Sequence, residues 1–250
     1  VTFVDLKDTI SACLHAPVIS LMAKEQGELT YGIAVEHGQA DFDSYVNAAH
    51  GEGKNKYTGG VIFAELKKKS GVHFDASFRA GRAENDYNAN LSVLGISTPT
   101  SYDISASYLG FSLGGGREMK VSETGKLDLY GRYYFNHLNG ANAKTNSGID
   151  IDFKDSDSSR LRLGTRYTQK MNERNKLYAG LAWQYEFAGK AKAVVNGVDA
   201  PSPSLKGHSA MLELGIKTKA GKNLDIDLGL NGWVGKQRGI AGNLGFKWTF

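Results

Sequence analysis

The chain has 250 residues, with 30 Lys and Arg against 26 Asp and Glu, a net charge of +4. So small a bias gives no ground for a nucleic-acid partner or a strongly acidic one. The single cysteine, Cys13, excludes a disulfide framework and a CxxC metal pair, while 31 glycines, 12 tyrosines and 11 phenylalanines against 4 prolines point to many strands joined by tight turns.

The first residues, "VTFVDLKDTI", lack the basic start and apolar core of a signal peptide, and they read as a mature or truncated piece of something longer. The longest apolar run, "APVISLMA", falls far short of the ~18 residues a membrane helix needs. "PVISLMA" is a candidate strand before the tight turn "KEQGE".

From there the chain alternates with a period of two, as strands do when successive side chains point to opposite faces. "LTYGIAVEH" sets Leu29, Tyr31, Ile33 and Val35 against Glu36. "YTGGVIFAEL" is apolar on both faces, which leaves its register open. "GVHFDASFRA" sets Val72, Phe74, Ala76 and Phe78 against His73, Asp75 and Arg79. "SYDISASYLGFSLGGG" changes phase between Ala106 and Leu109, which predicts a bulge near Ser107. "KLDLYGRYYF" opposes Leu127 and Leu129 to Asp128 and Arg132, and "RLRLGTRYT" opposes Leu161 and Leu163 to Arg162 and Arg166. "KLYAGLAWQYEF" sets Leu181 and Trp183 against Gln184 and Glu186. "HSAMLELGIKT" sets Leu212 and Leu214 against Glu213 and Lys217, and "LDIDLGLNGWV" sets Ile226 and Leu228 against Asp225 and Asp227. The terminal "GNLGFKWTF" carries Leu244, Phe246, Trp248 and Phe250 on one face, up to the last atom.

The connections alternate too. "KEQGE", "KKKSG", "SETG", "MNERN" and "KAGKN" are tight. "DSYVNAAHGEGKNK", "AENDYNANLSVLGISTPT", "HLNGANAKTNSGIDIDFKDSDSS" and "AGKAKAVVNGVDAPSPSLKG" are long, and "GKQRG" is a short member of that series. Consecutive antiparallel strands place successive connections at opposite ends, so all tight turns share one end and all long loops the other. A soluble sandwich has no such rule, and its strands average ~5–6 residues. The pattern predicts an all-β, antiparallel, up-and-down transmembrane barrel of about twelve strands, with short periplasmic turns and long extracellular loops.

The polar faces then become a water-filled lumen. They hold Arg79, Arg132, Arg162, Arg166 and Lys217 with Asp75, Asp128, Glu186, Glu213, Asp225 and Asp227. Facing lipid, one Arg or Lys at the midplane would cost ~2–4 kcal/mol. "LGGGRE" lacks the lysine and hydroxyl of a phosphate loop, and small residues on a curved strand explain it better. His15, His37, His50, His73, His137 and His208 show no metal-ligand spacing. His73 and Asp75, two apart on one strand, read as part of the charge network rather than an acid–base pair.

The blocks "GKLDLYGRYYFN", "SSRLRLGTRYTQ", "LYAGLAWQYEFAG" and "ELGIKTKAGKNLDIDLGLNGWVGKQRGIAGNLGFKWTF", in that order and spacing, resemble the translocator (β) domain of autotransporters, the type V secretion proteins of Gram-negative bacteria. The resemblance covers residues 29–250, read as the outer-membrane barrel domain; residues 1–28 match poorly and hold either first strands or a plug helix over "LKDTISACLHA". It implies an outer-membrane anchor and translocation unit for a covalently linked N-terminal passenger, with no cofactor and no enzymatic activity. Its implied partners are outer-membrane lipid, periplasmic chaperones and the barrel-assembly machinery, which would read Phe246, Trp248 and Phe250 as an assembly signal. The alternatives are an outer-membrane enzyme of the protease or lipase type, with its site on the long loops, and a small diffusion porin.

Overall fold

A computed structural model describes residues 3–23, 27–46, 49–93, 96–200, 202–221 and 223–248. Eleven strands form one sheet: β1 (Phe3–Ala23), β2 (Gly27–Val46), β3 (Ala49–Lys67), β4 (Val72–Val93), β5 (Ile96–Lys120), β6 (Gly125–Leu138), β9 (Ser156–Lys170), β10 (Asn175–Glu186), β13 (Gly207–Ala220), β14 (Leu224–Gly235) and β15 (Gly239–Trp248). Each pairs antiparallel with the next in this order, so the sheet is up-and-down throughout. It curls into a half-barrel, and one cavity is lined by residues from β4 at one side through to β14 at the other.

Side-chain alternation sorts the two faces. Tyr178, Ala182, Gln184 and Glu186 of β10 are buried on the concave face, while Leu181, Trp183 and Phe187 stand exposed on the convex one. β13 repeats this, with Met211 and Glu213 inside and Leu212 and Leu214 outside. On β3, whose sequence left the register open, pairing settles it. Ile62 stands opposite Phe78 on the convex face, and Phe63 lines the concave cavity.

Two expectations change. The "DSYVNAAHGEGKNK" and "AENDYNANLSVLGISTPT" segments are largely strand rather than loop. β2 and β3 pair out to Val46 and Ala49, and β4 and β5 out to Val93 and Ile96. Antiparallel ladders satisfy backbone groups whatever the side chains are, so a polar stretch with no alternation can still pair. At 19–25 residues, β3 to β5 far exceed the ~9–11 needed to span a bilayer, and their ends project beyond it. The bulge near Ser107 is absent. β4 and β5 hold one register from Val72↔Arg117 to Val93↔Ile96, with Ile104 and Ala106 on the side of Tyr108. Ile104 lies in the projecting part, where no lipid enforces outward apolar residues. For "LKDTISACLHA", open between first strands and a plug helix, the structure has strand, within β1 and bonded to β2. Its register shifts between His15 and Val18, where Pro17 cannot donate to the ladder. The described residues thus hold eleven long strands where the sequence suggested about twelve.

The remaining long loops carry β7 (Ala141–Lys144), β8 (Asp150–Phe153), β11 (Ala193–Val195) and β12 (Val198–Asp199). These form a second, four-stranded sheet at the long-loop end. Among the described residues no helix is long and apolar enough to cross a membrane.

Candidate functional site

The concave face carries the chemistry. Its charges meet in two ways, both set by strand register. Neighbours in adjacent strands pair directly: Arg160 with Glu186 at 3.2 Å, Lys217 with Asp227 at 3.2 Å, and Arg162 Nη2 with Gln184 Oε1 at 3.0 Å.

Other pairs span two strand spacings, roughly 9–10 Å, and do so over glycine. Asp75, Gly114 and Arg132 are in one row of β4, β5 and β6, and Arg132 Nη2 reaches Asp75 Oδ1 at 2.8 Å. A Cβ on Gly114 would lie 2.7 Å from Asp75 Oδ2. Arg166, Gly180 and Glu213 make the same row on β9, β10 and β13, with Arg166 donating to both carboxylate oxygens, Nε at 3.1 Å. His73 Nε2 meets Asp128 Oδ1 at 2.8 Å, and a Cβ on Gly116 would lie 2.6 Å from that nitrogen. Gly114 and Gly116 of "LGGGRE" are therefore gaps in β5 through which β4 and β6 touch.

Tyrosines use the same gaps. Tyr108 lies across Gly81 and Gly59 to donate to Glu36 at 2.7 Å, and Arg79 also donates to Glu36, whose residue exposure is 2%. Tyr178 lies across Gly215 and Gly229 and donates to Asp227 at 2.9 Å. Tyr130 covers Gly164.

These side chains enclose a cavity of about 680 Å³ near the tight-turn end, lined by Asp75, Asp128, Arg132, Arg166 and Lys217 among others. A second of about 180 Å³ lies between His73, Arg162, Glu213 and Trp233. Two buried donors at this second cavity, Arg132 Nε and Trp233 Nε1, have no acceptor among the described residues.

On the concave face Asp75 meets Arg132, Arg166 meets Glu213 and Lys217 meets Asp227, while Arg79, Asp128, Arg162 and Glu186 find Glu36, His73, Gln184 and Arg160. Asp225 stands opposite Lys219 and Lys247 in register. Gln184, at 1% exposure, Glu36, Tyr108 and Tyr178 belong to the same network and were not singled out as site residues from sequence. Glu36 and Gln184 were legible as polar members of an alternating strand; the tyrosines were not, because an inward tyrosine looks like an outward one until register places a glycine beside it.

The convex face is the reverse. Ile33, Ile62, Phe78, Leu163, Leu181, Leu214, Leu230 and Phe246 are all exposed there. Such a wall exceeds what a protein in water leaves uncovered and suits hydrocarbon. Phe246 is 63% exposed on this wall; the backbone of Trp248 closes β15, and Phe250 lies outside the described residues.

The autotransporter beta-domain profile matches residues 19–231. The chain belongs to the autotransporter β-domain family. A search of curated proteins finds no significant match. Among solved structures the fold is shared with the transport unit of the autotransporter AIDA-I from Escherichia coli: 13% identity, 100% of this chain and 82% of that one covered, TM-score 0.66. It is shared with the beta domain of the Bordetella autotransporter BrkA: 17% identity, 100% and 91% covered, TM-score 0.71. It is shared also with the translocator domain of the autotransporter NalP from Neisseria meningitidis: 15% identity, 97% and 81% covered, TM-score 0.71. At these identities the likeness is one of fold. Autotransporter β-domains are outer-membrane β-barrels, and this β-domain's apolar convex wall and charged concave face fit that setting.

Proposed function

We propose that this β-domain anchors an N-terminal passenger in the outer membrane and serves as the unit through which that passenger is secreted or displayed. The observation that carries the reading is the concave face: a charge-paired surface inside an apolar wall. Asp75, Arg79, Asp128, Arg132, Arg162, Arg166, Glu186, Glu213, Lys217, Asp225 and Asp227 line the passage in this reading. The orphan donors Arg132 Nε and Trp233 Nε1 supply hydrogen bonds to acceptors of a chain lying there. The β-domain itself performs no bond chemistry. Phe246, Trp248 and Phe250 present the last strand to the barrel-assembly machinery, with periplasmic chaperones delivering the unfolded chain.

The test joins a secretion signal and an epitope-tagged passenger ahead of Val1 and expresses the fusion in a Gram-negative host. The tag should react with antibody on intact cells, and added protease should remove it while the folded barrel band stays. A tag that remains in the periplasm beside a correctly inserted barrel would overturn the reading.

A further inference from the structure

The outer rim of the sheet gathers positive charge at one place. Lys206 just before β13, His208 on β13, Lys236 and Arg238 after β14, and Lys190 after β10 are all exposed at the long-loop end. Lys236 N donates to His208 O at 3.0 Å, and the Lys236 stem packs against Gly207, where a Cβ would lie 2.9 Å from Lys236 Cγ. Arg238 Nε is held by Gly235 O at 3.0 Å, and Lys190 bridges to Ser204, two residues before Lys206. Elsewhere in the sheet several cations meet carboxylates, as Arg132 meets Asp75 and Arg166 meets Glu213. Here, among the described residues, no acid is ion-paired with Lys190, Lys206, Lys236 or Arg238; the nearby Glu186 is buried on the concave face and engaged by Arg160.

Directly below this patch the wall turns aromatic, then aliphatic. Trp183 Nε1 donates to His208 Nδ1 at 3.1 Å, which leaves Nε2 of His208 as the ring's own N–H donor. Tyr185 packs edge-on against His208 with centroids 4.7 Å apart, and Phe187 packs on Tyr185 at 4.8 Å. Beneath lie Leu181 and Leu212, directly opposite each other and both exposed. Cations above a ring belt above an aliphatic wall form the complement of an anionic amphiphile: acyl chains along the wall, sugar or glycerol against the rings, charge at the rim.

We propose that Lys206, Lys236 and Arg238, with the His208 ring, bind the phosphorylated headgroup of an outer-leaflet lipid. Three long, exposed cationic side chains on the adjoining ends of β13 and β14 suit a phosphate with several acceptor oxygens better than a single carboxylate. The site rests on the outer-membrane placement with the long-loop end outward, and it is independent of passenger transport.

The test is lipid binding to the refolded full chain in zwitterionic micelles, read by native mass spectrometry. The probe is diphosphoryl lipid A, compared with the same lipid stripped of phosphate and with inorganic phosphate as competitor. The phosphorylated lipid should bind about tenfold more tightly than the stripped one, the effect of one or two charge-assisted hydrogen bonds. Lys206→Gln/Lys236→Gln/Arg238→Gln should lose most of that preference, while Lys68→Gln/Arg174→Gln at the turn end should keep it. Equal binding of the two lipids by the unaltered chain overturns the proposal, and that comparison needs no variant to fold. Undiminished preference in the folded triple variant overturns it as well. Displacement by millimolar inorganic phosphate would show a free-anion site instead of a lipid site. None of these outcomes bears on whether a passenger is secreted.

Discussion

Tyr108 of β5 hydrogen-bonds Glu36 of β2 at 2.7 Å although two whole strands lie between them. The row is Tyr108, Gly81, Gly59, Glu36, each directly opposite the next. Only because both intervening residues lack a side chain can the ring lie flat along the sheet. A second row, Tyr178, Gly215, Gly229, repeats the arrangement on β10, β13 and β14. Rigid rings laid across strands tie the curved sheet together from its concave side.

Filling the gap should therefore loosen the sheet. Gly81→Val would set carbon 2.7 Å from Tyr108 Oη and 2.6 Å from Gly59 Cα. We expect a loss of about 1–3 kcal/mol, the usual cost of overpacking. Gly60→Val, where nothing lies within 4 Å, should be neutral or mildly stabilising. The check is the unfolding midpoint of the heat-modifiable band in lipid. Equal midpoints for the two variants would rule out the interlock.

The Arg166–Glu213 pair should respond asymmetrically. Glu213 keeps 10% of its side chain exposed and Arg166 keeps 37%. Arg166→Met strands a nearly buried carboxylate and should cost about 2 kcal/mol; Glu213→Gln leaves a cation that can reach water and should cost less. Combining Arg166→Met with Glu213→Gln should recover part of the first loss. Urea titrations of the three variants in the same lipid decide it, and strictly additive losses would mean the pair is not coupled.

Charge on the convex wall should be depth-dependent. Leu230 and Val234 are both exposed on β14, but Leu230 shares its row with Leu214 near mid-strand, while Val234 shares one with Trp183 near the outer rim. Leu230→Arg should cost ~2–4 kcal/mol and Val234→Arg ~0–1 kcal/mol, from the bilayer profile of arginine. Similar costs at the two sites would place the membrane elsewhere on the sheet.

Phe246→Ala and Phe250→Ala should exchange rank between cell and test tube. Phe246 is exposed on the convex wall, so in refolding assays its loss should be the larger, on the order of 1–3 kcal/mol. In cells Phe250→Ala should lower the amount of inserted barrel more, if the last residue is read during assembly. Normal cellular assembly of Phe250→Ala would leave Phe250 without that role.

The sequence by itself determined the two faces of the strands that alternate cleanly. Leu212, Glu213 and Leu214 sort themselves, because a strand's period of two is local and a charged residue in hydrocarbon costs more than any packing gain returns. It also determined the two-ended arrangement of turns for β6 onward, since a short polar connection between alternating runs can only be a hairpin. What only the tertiary structure decided is register. Asp75 meets Arg132, and Arg166 meets Glu213, through glycines 114 and 180 on a third strand. That alignment depends on the pairing of three separate segments and leaves no local trace. The same holds for the outer ends of β2 to β5. Their residues lie beyond the lipid, where no solvent boundary imposes alternation, so the backbone ladder alone makes them strand.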